Sequence, residues 1–181
     1  MTFQKPFALA IHGGAGVIER DQLSTSEENI ILADLDAALE AGRRILADGG
    51  SALDAVEAAV VALEESPRFN AGKGSVYNAE GRHELDASLM EGHTRRAGAV
   101  AGVETIRNPV RLARAVMEQS PHVMMVGAGA ERFADTQPQI ERVVNDWFDT
   151  DTRRSQLLLE QSREQAAAEA DADDLRGRYF G

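Results

Sequence analysis

Ala97-Gly98-Ala99-Val100-Ala101-Gly102-Val103 is an apolar run in which no side chain is larger than valine. It reads as a β-strand. Side chains this small imply that another layer packs closely against it, so a helix stacked on a sheet is expected here. The run Glu84–Met90 reads as a second strand, joined to the first through a turn at Glu91-Gly92-His93. Downstream, Asn108-Pro109 signals a helix start, an N-cap residue followed by proline at the first helical position. Leu112, Val116 and Met117 fall on the inward face of that helix, and Ser120-Pro121 stops it. His122-Val123-Met124-Met125-Val126 reads as a strand, with His122 a structural residue at its start, and Gly127 to Ala134 as a turn into a short helix.

Upstream, Phe7-Ala8-Leu9-Ala10-Ile11 reads as a strand buried on both faces, ending in the glycine turn His12-Gly13-Gly14-Ala15-Gly16. Ser24 with Glu27 forms a capping box. Ile31, Leu32, Leu35, Leu39, Ile45 and Leu46 then recur at helical spacing until Gly49-Gly50. Ser51 with Asp54 opens a second helix carrying Leu53, Val56, Val60 and Leu63 on one face, and Pro67 marks its end. With almost nothing between them, the two helices should pack as an antiparallel hairpin. Residues 150–168 are weakly helical by pattern. From Ala166 the chain has no periodic apolar face, so 166–181 is expected to be an acidic, mobile tail to a domain of residues 1–165. The order of elements gives a layered α/β domain with no internal repeat.

Composition excludes several functions. The 181 residues are 43% hydrophobic and 27% charged, the balance of a globular chain. A net charge of -11, with its 19 basic residues interspersed among acids, argues against a nucleic-acid partner. With no cysteine there is no disulfide, no thiolate nucleophile and no Cys-based zinc site, which suits a cytoplasmic location. The apolar run Phe7–Ile11 is too short for a signal-peptide core, and no stretch is long enough to span a bilayer.

The generic motifs fail one by one. Gly14 and Gly16 supply two glycines of a dinucleotide fingerprint, but Glu19 stands where the third is required and no helix signature follows. The alternatives at this turn are a tight exit from a buried strand, or a place where small residues let the backbone approach a reacting centre. Gly72-Lys73-Gly74-Ser75 lacks the first glycine of a phosphate loop, and Gly74 replaces its hydroxyl residue. The histidines at 12, 83, 93 and 122 have no spacing suited to a transition metal. Glu84 and Asp86, two apart on a strand, share a face and more often hydrogen-bond a turn than form a glycosidase pair. Leu63 to Lys73 leaves a helix C-terminus, where unpaired carbonyls could turn inward around a hard cation or simply terminate the helix.

Six segments in order carry a more specific signal: His12-Gly13-Gly14-Ala15-Gly16, Phe69-Asn70-Ala71-Gly72 with Gly74, Glu84-Leu85-Asp86-Ala87, Gly98-Ala99-Val100-Ala101, Arg107-Asn108-Pro109-Val110 and Ser120-Pro121-His122-Val123. Between about residue 8 and about residue 135 the chain resembles the first half of the plant-type L-asparaginases, or isoaspartyl peptidases. That resemblance implies an αββα sandwich of the N-terminal nucleophile hydrolase type, completed by a β subunit cut from the same precursor. It implies an (αβ)2 heterotetramer and a threonine nucleophile heading the β chain, with Gly181 as the residue before the cut. The implied reaction hydrolyses L-asparagine and β-aspartyl dipeptides, with no cofactor in the chemistry. The resemblance also implies that Asn70 helps orient the threonine and that Gly13 and Gly14 bring backbone close to the active site. A structural sodium ion would be held by the main-chain oxygens of Leu63, Glu64, Ser66, Phe69, Ala71 and Lys73. The competing readings are a glycosylasparaginase-type amidase, against which the missing signal segment and cysteine count, and a non-catalytic α/β binding module.

Overall fold

The computed structural model describes residues 6–14 and 23–180, which form a mixed α/β arrangement of a helical hairpin, a small sheet with helices against it, and a long final helix. Helix α1 (Thr25–Ala47) starts from the expected capping box: Ser24 Oγ accepts the Glu27 N–H at 3.2 Å, and Glu27 Oε2 accepts the Ser24 N–H at 3.0 Å. The chain leaves α1 through Gly49, whose φ of 83° only glycine adopts without strain. Helix α2 (Ala52–Glu65) is capped by Ser51, which accepts the Asp54 N–H at 3.1 Å. The hairpin closes tightly: a Cβ on Gly42 of α1 would lie 2.7 Å from the Ala55 carbonyl oxygen of α2. Of the expected apolar face of α2, Leu53 and Leu63 are buried, whereas Val56 is exposed and Val60 half-buried.

Strand β1 (Leu85–Met90) pairs antiparallel with β2 (Ala97–Val103), from Leu85 opposite Val103 to Met90 opposite Ala97. The register shifts between Leu85 and Ala87. Helix α3 (Pro109–Gln119) carries the chain across the sheet to β3 (Met124–Val126), which lies parallel to β2. Parallel neighbours require such a crossover. The small residues of β2 are explained by α3, since a Cβ on Gly98 would come 2.8 Å from both the backbone N and the Cβ of Met117. Leu112, Ala113, Val116 and Met117 bury against Leu85, Leu89, Val100 and Val103. Helix α4 (Gly127–Ala134) and a 3-10 turn at Asn145–Phe148 complete this core with Ala130, Ala134 and Phe148. The opposite face of the sheet is open, with Asp86, Ser88, Met90, Met124 and Val126 all exposed.

The last turn of α2 joins the hairpin to the sheet layer. Glu64 is buried, and its Oε1 accepts the Val110 N–H of α3 at 3.0 Å. Glu65 takes both ends of the Arg107 guanidinium at 2.9 and 2.8 Å and accepts from Asn108 Nδ2 at 3.0 Å. Asn108 occupies the N-cap position but makes no capping bond with its side chain. An acceptor from α2 does that work instead, because a carboxyl brought in by packing meets the unpaired N–H groups at the start of α3.

Two expectations need correction. Phe7–Ile11 is extended but belongs to no ladder, and Phe7 is exposed. A doubly buried strand needs a neighbour on each side, and the three described strands pair only with one another. The residues expected to form a mobile tail instead continue a helix, α5 (Asp151–Phe180). Ala, Glu, Gln, Leu and Arg dominate this segment, and their intrinsic propensity favours helix without any apolar stripe. Through residue 168 that helix is largely exposed. Gly16 and Gly181 lie outside the described residues. No described helix is long and apolar enough to cross a membrane.

Burial raises the Glu64 carboxyl from its ordinary 4.5 to about 8, despite the Val110 N–H that favours its anion. Its Oε2 has no partner among the described residues. An acid with a raised folded pKa contributes stability that is complete below pH 4.5 and is lost as pH rises through about 8. Glu64→Gln cannot ionise, so its melting temperature should fall less between pH 6 and pH 9 than that of the unaltered protein. Equal falls would show that Glu64 does not titrate in this window.

Candidate functional site

After Glu65 the chain enters a loop, residues 66–76, whose shape two glycines fix. Gly72 has φ 51° and Gly74 φ 100°, both in the region that disfavours side chains. Space forbids them as well. A Cβ on Gly72 would lie 2.9 Å from the Glu64 carbonyl carbon, and one on Gly74 would lie 2.5 Å from the Pro67 oxygen and 3.0 Å from the Phe69 oxygen. The loop thus curls with main-chain carbonyls turned onto its own glycines. Its start is pinned to α1, since Ser66 Oγ donates to Asp34 Oδ2 at 2.6 Å and Arg68 pairs with Asp34 at 3.2 Å.

Asn70 is exposed at the tip of this loop. Its Oδ1 accepts the Val76 N–H at 2.9 Å, and its Nδ2 has no partner among the described residues. Phe69, beside it, is buried against Ala38 and Leu63, with Ile11 and Leu35 packed on the same cluster. There the glycine turn arrives: a Cβ on Gly13 would meet Leu35 at 2.9 Å and the Phe69 ring at 3.1 Å. Gly14 follows with φ 116°. The structure therefore brings Gly13 against Phe69, the residue next to Asn70, while a Cβ on Gly14 would meet nothing within 4 Å. Alongside runs an apolar groove of about 240 Å³ between Leu9–His12 and the Val56, Ala59, Val60 and Leu63 face of α2.

The six carbonyls expected to hold a cation sit in or just before this loop. Leu63 O accepts the Ser66 N–H at 3.2 Å and Glu64 O accepts the Lys73 N–H at 2.7 Å. Each keeps a second lone pair, and the curled carbonyl-rich backbone suits a small, hard ion. Among the described residues no group of three or more His, Asp or Glu side chains is placed to hold a metal. Asp86, one of the paired acids, accepts the Gly102 N–H at 2.8 Å across the strand irregularity, a structural use.

No local motif announces what secures the far side of the loop. The 3-10 turn and the start of α5 grip it: Lys73 Nζ donates to Trp147 O at 3.0 Å, the Gly74 N–H to Phe148 O at 3.1 Å, and Arg153 Nε to Gly74 O at 2.6 Å. Lys73 also lies 4.8 Å from the centre of the Trp147 ring. Ser75 Oγ is 3.0 Å from Nδ1 of His83, whose Nε2 is 3.1 Å from Asp149 Oδ1. His83 is fully buried between Tyr77, at 4.2 Å, and Phe148, at 5.9 Å. Although burial opposes its ionisation, hydrogen bonds from Tyr77, His83 and Arg154 hold Asp149 below the usual carboxylate range. His122, by contrast, is exposed ahead of β3 and touches nothing in the loop.

The family model described as Asparaginase matches residues 5–178. The chain belongs to the asparaginase family. It is 54% identical over 150 residues to an isoaspartyl peptidase of Escherichia coli K12, covering 83% of this chain and 46% of that one. It is 42% identical over 168 residues to the isoaspartyl peptidase/L-asparaginase of Homo sapiens, covering 91% and 51%. Against the plant-type L-asparaginase of Thermococcus kodakarensis it is 47% identical over 127 residues, covering 70% and 40%. The chain spans about half the length of the curated relatives it matches.

Proposed function

We propose that this chain is the α subunit of a threonine-dependent amidohydrolase that releases L-aspartate from L-asparagine and from β-aspartyl dipeptides. The observation that carries this is the packing of Gly13 on Phe69, beside an Asn70 whose amide nitrogen is unpartnered, in a chain of the asparaginase family. The names of its relatives, isoaspartyl peptidase and L-asparaginase, supply the substrate class.

In this scheme a threonine at the head of a β subunit, freed by cleavage after Gly181, attacks the side-chain carbonyl of the aspartyl substrate. Its own α-amine takes the hydroxyl proton and delivers it to the leaving nitrogen. The C–N bond breaks, ammonia or an amino acid departs, and water then hydrolyses the aspartyl ester to regenerate threonine. No cofactor takes part. Asn70, with Oδ1 committed to Val76, presents its Nδ2 to orient the threonine. Gly13 seats the turn on Phe69, and Gly14, with open space where a Cβ would stand, leaves room for the partner's backbone.

An αββα sandwich completed by the β subunit, assembled as (αβ)2, accounts for the unpaired Phe7–Ile11 segment and for the open face of the sheet. A sodium ion on the carbonyls of Leu63, Glu64, Ser66, Phe69, Ala71 and Lys73 would brace the loop from within. A cytoplasmic setting suits a chain with no cysteine to oxidise.

Intact mass and N-terminal sequencing of everything that copurifies with the chain, followed by an aspartate-release assay, test this function. An equimolar partner beginning with threonine and release of aspartate are expected; the chain purifying alone, folded and inert would overturn it. Asn70→Ala should leave assembly intact and lower turnover or self-cleavage roughly tenfold or more, the range for losing a positioned hydrogen-bond donor. Unchanged rates for both would remove Asn70 from the site. Replacing sodium with a larger monovalent ion should lower the melting temperature or the activity, while divalent chelators change neither; indifference to the monovalent ion would argue against a bound sodium.

A further inference from the structure

We infer that His83, held between Ser75 and Asp149, is a positioning residue that sets the geometry of Asn70, given the amidohydrolase reaction proposed above. The chain of contacts is short. Asp149 is ionised and can only accept, so His83 Nε2 carries the proton that meets it at 3.1 Å. In the neutral ring Nδ1 is then a lone pair, placed to accept the Ser75 hydroxyl 3.0 Å away. Ser75 is thereby fixed in rotamer, and the next residue, Val76, offers the N–H that holds Asn70 Oδ1 at 2.9 Å. Holding Oδ1 fixes the amide plane, and with it the direction of Nδ2.

The environment of His83 is built for one tautomer. Its ring is wholly buried and stacked on Tyr77, and Asn145 ties down its backbone, with Oδ1 accepting the His83 N–H at 3.0 Å and Nδ2 donating to its carbonyl at 2.9 Å. Asp149 is itself held by Tyr77 and by an ion pair with Arg154. The neighbouring bonds from Phe148 and Arg153 to Gly74 keep the same stretch from sliding. A buried Ser–His–Asp series with no access for substrate has no nucleophile to offer. Its output is the placement of the loop that carries Asn70.

The test uses the complete gene product with three substitutions. Ser75→Ala deletes only the hydroxyl. His83→Gln reaches the Nε2 position and loses the acceptor for Ser75, while His83→Asn places its amide where Nδ1 stood. Each is assayed for kcat, KM, melting temperature and amide exchange at Val76. Small displacements of aligned groups cost up to about a hundredfold in rate, so Ser75→Ala and His83→Gln should lower kcat roughly ten- to hundredfold with KM nearly unchanged. They should also speed exchange at Val76 while the α3 core stays protected, and His83→Asn should recover much of both losses. The inference is overturned if Val76 keeps its protection in Ser75→Ala. It is also overturned if all three variants lose kcat only in step with melting temperature and exchange accelerates throughout the core. An unaltered protein that releases no aspartate would refute the proposed reaction, and with it the effect on kcat, while Val76 exchange separately decides whether His83 fixes the loop.

Discussion

Everything in this chain hangs on the last turn of α2. Its two consecutive glutamates do different work in adjacent directions. Glu65 faces Arg107 and Asn108, a half-buried arrangement in which the paired hydrogen bonds to the guanidinium fix orientation. Glu64 turns inward to the first turn of α3, where an unpaired N–H would otherwise be buried. One helix end therefore anchors another, and the hairpin cluster around Phe69 is fixed relative to the sheet cluster around Val100. Burying a carboxyl costs free energy, and the raised pKa of Glu64 is that cost expressed as proton affinity.

The loop that carries Asn70 inherits its position from this junction. It begins where α2 ends, curls over its own glycines, and is then held from outside by Trp147, Phe148 and Arg153. An eleven-residue excursion without regular structure would ordinarily be among the least stable parts of a domain. Here every backbone N–H from Lys73 to Val76 and the Gly74 carbonyl are bonded, so this part of the loop is braced as an element is. That is what a group orienting a nucleophile requires, since freedom in the scaffold is lost precision at the reacting atoms.

How much of this was legible depends on the distance between partners. Ser24 with Glu27 and Ser51 with Asp54 sit three residues apart, so both helix starts could be read directly. The small side chains of Ala97–Val103 announced the close packing of α3 because sterics leave a local trace in composition. Asn108 misled in detail: its type and position predict a cap, but Glu65, 43 residues away, claimed its side chain. Nothing local could reveal that. His83 is the extreme case, with Ser75 eight residues upstream and Asp149 66 residues downstream, spacings that match no motif. Asn70, Gly13 and Gly14 are named only through family resemblance, and the packing of Gly13 on Phe69 emerges only in three dimensions. The first part of the final helix was legible as a weak pattern, but its continuation past Ala166 was not: amphipathic periodicity reports packing, whereas α5 rests on propensity alone.

The surface itself divides into two unlike faces. On the outward side of α2 and α3, Arg114 reaches Asp54 and Glu57 at 2.7 and 2.8 Å and Glu118 at 2.9 Å, a charged lattice suited to water. On the opposite side of the sheet, Met90, Met124 and Val126 are more than half exposed. Single exposed apolar residues mean little, but these stand on β1 and β3, the two outer strands of one sheet, on its uncovered face. Apart from the sheet, an apolar groove runs between Leu9–His12 and the Val56 and Val60 face of α2. A sheet covered by helices on one side, with Met90, Met124 and Val126 beside Asp86 and Ser88 on the other, has room there for a further layer. Asn70, with its amide nitrogen unpartnered among the described residues at the tip of a braced loop, is the group that the nucleophile of the proposed reaction would have to meet.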